Sequence, residues 1–536
     1  MIRTALDWGI KGISRADLLW CVFFIFIFNF HPHYADGPLN FFELGLYLPS
    51  IDGILHGLVP FRDFFYLRGP LEIYVPSLMM KIFGENVAYL SFYFYAGNLL
   101  CLALACLIGR ELLRTRFVFY TFVLALASRT FPRAVYPFWG GLRYVWGLLF
   151  VYLMIRAFKT QRGRFFFFAG LTAACAALTS IEIGVCAFLA SAGSFVLMRT
   201  VKSTDSPAAG RLWGLYALGG CVLLVPFVLY FAHVKALVPF FEDMQAVVFR
   251  SHPTFMTHLT STSPRTIGGF LQAMIPAADN FKYMTPLYCF LLAAGILTAR
   301  YRRNSFGGLE LAVANTLIYA LVLYMEAFRI IEGGQFETAL QVEKILYFFV
   351  IETMCLWLLP RYRKAVVFFL AGSLALSAGY VAARYYKKSP LKKINGGSKL
   401  LTFERARGVR TSLEQAEELE ALLGAVGQYT DAQDKIFVYP DMGSYYFLCQ
   451  RGFVGRFPTA TLSWMREDWH RELMQNLAVQ RPKLIVLKVK LEDDYTKVYF
   501  KRDSNAMDYV DVVHFIDTHY DLVATTPQSG IYLIKK

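Results

Sequence analysis

The chain has 536 residues, of which 56% are hydrophobic and only 17% charged, against roughly 25% charged in an average soluble protein. Its apolar residues gather in runs near the ~20 residues that cross a bilayer core, which excludes a water-soluble globular chain. The net charge of +15 lies in short Lys/Arg clusters between those runs, not interleaved with stacking aromatics. That pattern excludes nucleic acid as a partner and points to membrane orientation and contact with membrane lipids.

The first apolar run, Leu18–Phe30, follows Lys11 and Arg15 and lacks a small-x-small cleavage site, so it reads as an uncleaved start-transfer helix. Spans are predicted near 17–34, 87–109, 117–133, 142–158, 165–180, 181–198, 212–234, 283–300, 307–327, 341–359 and 365–385, about eleven in all. The fifth and sixth form a tight pair split near Ser180–Glu182. Alternate connections carry the basic clusters: Arg3, Lys11, Arg15, then Arg110, Arg114, Arg116, then Lys159, Arg162, Arg164. The series continues with Arg199, Lys202, Arg211, then Arg300, Arg302, Arg303, then Arg361, Arg363, Lys364. The positive-inside rule puts these connections and the N-terminus in the cytoplasm. With an odd number of spans, the chain after about Tyr386 lies outside. The expected location is therefore a multi-pass protein of a bacterial inner membrane, with outer segments at 31–86, 235–282 and 386–536.

Residues 386–400 read as a linker with Ser389-Pro390 and Gly396-Gly397, and 401–536 as a small extracytoplasmic α/β domain. About half of the chain's acidic residues lie in this region. Helices are predicted at 411–428 and 464–479, and strands at 435–440, 484–489 and 531–534. Of the nine cysteines only Cys449 lies there, so this domain closes no internal disulfide, and no spacing suggests zinc. The fold class is mainly α: residues 1–385 as a polytopic helical bundle, followed by this domain.

The first outer loop carries the most informative pattern. It reads His31-Pro-His-Tyr-Ala-Asp-Gly-Pro38, then Gly57-Leu-Val-Pro-Phe-Arg-Asp63, Gly69-Pro-Leu71 and Lys81-Ile-Phe-Gly84. This ordered set resembles the polyprenyl-phosphate-sugar-dependent glycosyltransferases of the GT-C superfold, in particular the bacterial protein-mannosyltransferase and aminoarabinose-transferase-like (family 39-like) enzymes. The resemblance implies a GT-C-like bundle and inverting transfer of a sugar from a polyprenyl-phosphate donor. The acceptor would be an extracytoplasmic glycan, lipid or protein. Many relatives carry Asp-Glu where this chain has Asp36-Gly37, one carboxylate fewer beside the proposed base. No cofactor is required by the pattern, and a divalent metal stays open.

Such a transfer needs a carboxylate to take the acceptor's proton and cations to stabilise the departing phosphate. The base would be Asp36, just past a span, with Asp63 as a second catalytic carboxylate that orients acceptor or metal. Arg62, Arg68, Arg129, Arg133 and Arg143 lie on the same side as donor-phosphate ligands, arginine being suited to bidentate phosphate contacts. The resemblance adds Arg329 to the phosphate ligands, and Glu332 and Gln335, in the charged stretch after the ninth span, to the substrate contacts. Glu182, at the tip of an apolar hairpin, is a further substrate-binding candidate, because a charge at membrane depth usually faces an interior cavity. Plain structural readings stand beside each: a turn for Asp36 and for Asp63, an exposed tip for Glu182, an ordinary charged loop around Arg329. His31 and His33 read as interfacial, and Glu467, Asp468 and His470 as a helix surface. Two other functions fit the architecture less well. A lipid or glycan transporter would show internal repeats. A surface-polysaccharide polymerase or ligase would work from the loop 235–282 with His252, His258, Arg250 and Arg265.

Overall fold

A computed structural model describes residues 8–129, 141–200, 206–247, 281–327, 342–387, 397–440, 442–459, 465–488 and 503–536. In chain order the first helices are α1 (Arg15–Phe28), α2 (Phe41–Leu55), α3 (Pro70–Phe83), α4 (Val87–Leu112), α5 (Arg116–Arg129), α6 (Arg143–Thr160) and α7 (Gly163–Thr179). They are followed by α8 (Ile181–Thr200), α9 (Ser206–His233), α10 (Leu237–Ala246), α11 (Phe281–Arg302), α12 (Gly308–Ala327) and α13 (Glu343–Lys387). The C-terminal region then alternates: β1 (Ser398–Leu400), β2 (Arg410–Ser412), α14 (Leu413–Tyr429), β3 (Lys435–Tyr439), α15 (Ser444–Cys449) and β4 (Gly452–Phe453). It ends with α16 (Glu467–Gln480), β5 (Leu484–Lys488), α17 (Asp503–His519), β6 (Tyr520–Thr525) and β7 (Ser529–Ile534).

Among the described residues, six helices are long and apolar enough to cross a membrane: α4, α8, α9, α11, α12 and α13. The chain is an integral membrane protein. Each segment read as a span holds a helix, but α1, α5 and α7 have only 14, 14 and 17 residues. The last two predicted spans are joined in α13, whose 45 residues pass through a kink at Tyr362 (φ −129°, ψ 42°). Pro360, two residues earlier, cannot donate to the helical ladder and clashes with the preceding turn, so the break falls where the basic cluster Arg361, Arg363, Lys364 stands.

The chain divides into two compact units. The first comprises residues 1–33, 93–226 and 262–393. Its core is one apolar cluster drawn from α1, α4–α9 and α11–α13. Carboxylates in this unit meet the basic clusters read as cytoplasmic. Glu111 takes Arg156 at 2.8 Å and Lys159 at 2.6 Å. Asp17 takes Arg116 at 2.9 Å, and Glu310 takes Arg300 at 2.7 Å. Close helix contact depends on small residues, as expected in lipid. A Cβ at Gly170 would stand 1.9 Å from the Tyr216 carbonyl oxygen, and one at Gly219 1.9 Å from that of Phe167.

Buried Glu352 of α13 closes the N-terminus of α5. Its carboxylate accepts from the Arg114 N–H at 2.8 Å, the Thr115 N–H at 2.7 Å and the Thr115 hydroxyl at 2.8 Å. Those amides precede the helix and would otherwise be orphaned. Glu352→Gln halves the acceptor capacity, and thermal unfolding in detergent is expected to show a loss of about 1–3 kcal/mol. An unchanged melting point would mean that water satisfies these amides.

The second unit comprises 34–92, 227–261 and 394–536, so the first outer loop shares a compact body with the C-terminal region. Its sheet has the order β4-β3-β5-β7-β6. β3 is parallel to β4 and β5, and β7 is antiparallel to β5 and β6. β3 and β5 are buried almost throughout, which is why they were legible as continuous apolar runs. α14 is capped by Ser412, whose side chain accepts from the Gln415 N–H. Its buried Glu418 accepts from the Ser529 hydroxyl at 3.0 Å, the Thr526 hydroxyl at 2.8 Å and the Gln528 N–H at 2.8 Å, tying the helix to the last hairpin. α2 lies against α15. A Cβ at Gly45 would be 3.0 Å from the Gly443 and Ser444 nitrogens, and the Ser444 hydroxyl donates to the Phe41 carbonyl at 3.0 Å.

Candidate functional site

The half-buried Asp36 stands one residue before Gly37, whose φ of +136° suits glycine. Its Oδ1 accepts the Arg410 N–H at 2.9 Å, and the Gly37 N–H donates to the Arg410 carbonyl at 2.8 Å. The Gln415 side-chain amide then clamps Leu39 from both sides, accepting its N–H at 2.7 Å and donating to its carbonyl at 2.8 Å. The Asp36 carboxylate is therefore oriented by the C-terminal region. Sequence reasoning had no access to that partner, more than 370 residues away in the chain.

Asp63 is held within its own turn. Arg62 grips it bidentately, Nε to Oδ1 at 2.8 Å and Nη2 to Oδ2 at 2.6 Å, while the Val59 N–H donates to Oδ2 at 2.7 Å. The Arg62 guanidinium holds this carboxyl below the usual carboxylate range. Arg62 also donates to the Val234 carbonyl at 3.3 Å. Arg68 donates to the Tyr47 hydroxyl, and its guanidinium lies 3.6 Å from the buried Glu72 carboxylate. Tyr47 in turn donates to Glu72 at 2.9 Å. Burial works against the charge of Arg68, but the Tyr47 hydroxyl and the Glu72 carboxylate outweigh it and fix the cation.

In the first unit, Arg143 and Glu182 come together. Arg143 opens α6 and Glu182 stands in the first turn of α8, next to the break at Ser180. The guanidinium donates to the Ser180 hydroxyl at 3.1 Å and lies 3.4 Å from the Glu182 carboxylate, and Ser180 itself donates to Glu182. Glu182 is thus part of an ion pair at a helix junction. Arg129 closes α5, and its side chain lies outside the described residues, as do Arg133, Arg329, Glu332 and Gln335. His252, His258, Arg250 and Arg265 also fall outside. Among the described residues, no group of three or more His, Cys, Asp and Glu side chains is placed to hold a metal ion.

Two arrangements in the second unit escaped the sequence reading. In one, the buried Arg405 reaches Asp52 at 2.8 Å, Glu85 at 2.5 Å and the Phe447 carbonyl at 2.8 Å. Burial pushes the Asp52 carboxyl up, and Arg405 and His56 oppose that push. The other is a cavity of about 460 Å³ bordered by Arg62, Asp243, Arg456, Arg466, Asp468 and Trp469. Arg456 bridges Asp243 at 3.1 Å and Glu472 at 2.8 Å, and Arg466 forks onto Asp468 at 2.9 and 2.6 Å. Asp468, read from sequence as helix surface, lies on this wall. The only prior signal was the density of Arg, Asp and Trp between 456 and 469.

No family profile and no curated protein sequence matches the chain. Solved structures do match it. One is the archaeal oligosaccharyltransferase AglB from Archaeoglobus fulgidus, in complex with an inhibitory peptide and a dolichol-phosphate. It shares 12% identity at a TM-score of 0.52, over 97% of this chain and 74% of that one. Another is ArnT from Cupriavidus metallidurans bound to undecaprenyl phosphate, with 13% identity and a TM-score of 0.51, covering 97% and 98% of the two chains. The apo state of that ArnT matches at 12% identity and a TM-score of 0.50, over 96% of each. The chain shares its fold with these structures, the GT-C fold.

Proposed function

We propose that the protein is a membrane glycosyltransferase that moves a sugar from a polyprenyl-phosphate donor to an extracytoplasmic acceptor, with inversion at the anomeric carbon. The observation that carries this reading is the correspondence with ArnT over 97% of this chain, a structure bound to undecaprenyl phosphate. The motifs of the first outer loop point the same way. Fold alone does not assign chemistry, so the residues must supply it. Asp36, with one oxygen fixed by the Arg410 N–H, is the base that takes the proton of the acceptor hydroxyl as that oxygen attacks the anomeric carbon. The C–O bond to phosphate breaks, and the electron pair leaves with the lipid phosphate. The arginines read from sequence, Arg62, Arg68, Arg129, Arg133, Arg143 and Arg329, are the proposed sources of positive charge for that leaving group. Glu182, Glu332 and Gln335 remain proposed substrate contacts, and Asp63 the proposed second carboxylate. The topology in this reading is about eleven crossings, an N-terminus in the cytoplasm of a bacterial cell and a C-terminal domain outside.

The test is incubation of the purified chain with a panel of labelled polyprenyl-phosphate sugars and envelope extracts as acceptors. Label is expected to pass from the lipid into a new glycoside of opposite anomeric configuration. Retained configuration would exclude a single displacement.

A further inference from the structure

The proposed base sits outside regular secondary structure, between the end of α1 at Phe28 and the start of α2 at Phe41. One short segment of the C-terminal region holds it there. Four hydrogen bonds join residues 36–39 to Arg410 and Gln415. The two to Arg410 use its backbone N–H and carbonyl. The two to Leu39 come from the Gln415 side chain, whose Oε1 accepts the Leu39 N–H at 2.7 Å and whose Nε2 donates to the Leu39 carbonyl at 2.8 Å. One side chain thus satisfies both main-chain groups of Leu39, as a neighbouring strand would.

That carboxamide has one orientation. Its Oε1 also accepts the hydroxyl of Thr411 at 2.6 Å, a residue only 1% exposed. A flipped amide would set its NH2 against the Leu39 N–H and its oxygen against the Leu39 carbonyl, so the network fixes which end faces which group. Gln415 is itself anchored as the third residue of α14, its backbone N–H taken by the Ser412 hydroxyl at 3.3 Å. One turn further on, Glu418 ties the same helix to the last hairpin through Thr526 and Ser529.

The grip continues past Leu39, which is 5% exposed. The Ser444 hydroxyl donates to the Phe41 carbonyl at 3.0 Å, and the Phe41 and Tyr445 rings meet at 5.1 Å. On the other side, Pro38 fixes its own φ, so Gly37 is the soft joint between Leu39 and Asp36. The direction of the Asp36 carboxylate is therefore set by the Arg410 backbone and by where Leu39 is held.

We propose that Gln415 is a positioning residue for sugar transfer: with Thr411 fixing its amide, it holds Leu39 so that the Asp36 carboxylate meets the acceptor hydroxyl. Gln415 acts through Leu39 and Asp36, not on the reacting atoms. This role rests on the reading of Asp36 as the base. A catalytic group displaced by about 1 Å costs about 10²-fold in rate, so loss of the clamp is read in kcat.

The experiment is a kinetic cycle on the full-length protein reconstituted in lipid, with a sugar-loaded polyprenyl phosphate and an acceptor. It compares wild type, Gln415→Met, Asp36→Asn and the double variant. Methionine keeps the length of glutamine and the backbone N–H that Ser412 caps, and removes both bonds to Leu39. Hydrogen exchange at the Leu39 amide should accelerate in Gln415→Met. Its kcat should fall by about 10²-fold, with KM for the lipid donor unchanged. In the Asp36→Asn background the same substitution should change kcat by less than about twofold, because residues that act as a unit are not additive. An equal loss in both backgrounds would make Gln415 a purely structural residue and overturn the proposal. So would wild-type kcat in Gln415→Met with fast exchange at Leu39. If Gln415→Met does not fold, Thr411→Val keeps the side chain's shape and withdraws the hydroxyl from Oε1. It should lower kcat by about tenfold, again only where Asp36 is present, and an undiminished kcat would overturn the proposal equally. Transfer by wild type and Gln415→Met alike would sink this proposal alone. Absence of transfer by wild type with every donor would sink the transferase reading, and this role with it.

Discussion

Asp36→Asn is expected to lower sugar transfer by about 10²–10⁴-fold, the range a positioned general base supplies, with little change in melting temperature. The Arg410 contact survives this substitution. The wild-type Oδ1 accepts the Arg410 N–H at 2.9 Å, and an asparagine offers a carbonyl oxygen at the same place. The Gly37–Arg410 backbone contact and the Gln415 clamp on Leu39 do not involve the changed atoms. What disappears is the negative charge and the capacity to take a proton. Because the loss falls on the chemical step, kcat should drop while KM for the lipid donor holds. Turnover within a factor of two of wild type would show Asp36 to be the ordinary turn residue that its Asp-Gly-Pro setting also allows.

Arg405→Ala should be the most damaging single change to stability in the second unit, costing about 3–5 kcal/mol, as expected when one member of a buried ion pair is removed. Arg405 is 7% exposed and joins three separate segments through Asp52, Glu85 and the Phe447 carbonyl. Its guanidinium also lies over the Phe447 ring at 4.5 Å. Its removal leaves Asp52, already pushed up by burial, without its main counter-charge; His56, 3.6 Å away, is the remaining partner. A carboxyl raised above its unfolded value favours folding in its protonated form, so that contribution is present at low pH and lost as pH rises through the folded value. The deficit of Arg405→Ala should therefore shrink as pH falls from neutral towards the carboxylate range. Thermal unfolding of both proteins across that pH window would show it. A pH-independent deficit would assign the loss to packing against Phe447 instead.

The membrane class and the positions of the helices were legible because bilayer solvent imposes a coarse constraint that composition and run length report. The same signal cannot state how many of the shorter helices cross. α1 and α5 are 14 residues long, and their apolar character serves a bundle core as well as a span. In the C-terminal region the buried strands β3 and β5 announced themselves as apolar runs. β6 did not, because at the sheet's edge every residue after the buried Tyr520 is exposed or half-buried, with no regular alternation. α17 was missed because its polar face obscures the apolar one.

The candidate site divides along a similar line. Local pairs were within reach: Arg62 and Asp63 adjoin, and their mutual grip gives substance to the turn reading of that element. Arg143 and Glu182 were each singled out, but their pairing depends on how α6 meets the α7–α8 junction. Long-range partners were invisible in principle. Nothing in the sequence around Asp36 points to Arg410, and nothing around Asp243 points to Arg456, because these contacts come from tertiary packing.

The most direct measurement is the amount of free polyprenyl phosphate formed by purified protein reconstituted in lipid with a sugar-loaded polyprenyl phosphate and an acceptor. If the chain is a transferase of the kind proposed, the freed lipid phosphate rises in step with sugar in product, and Asp36→Asn abolishes both. If the loaded lipid instead crosses the bilayer with its sugar bond intact and no lipid phosphate is freed under any donor, the protein moves lipids and the account is contradicted.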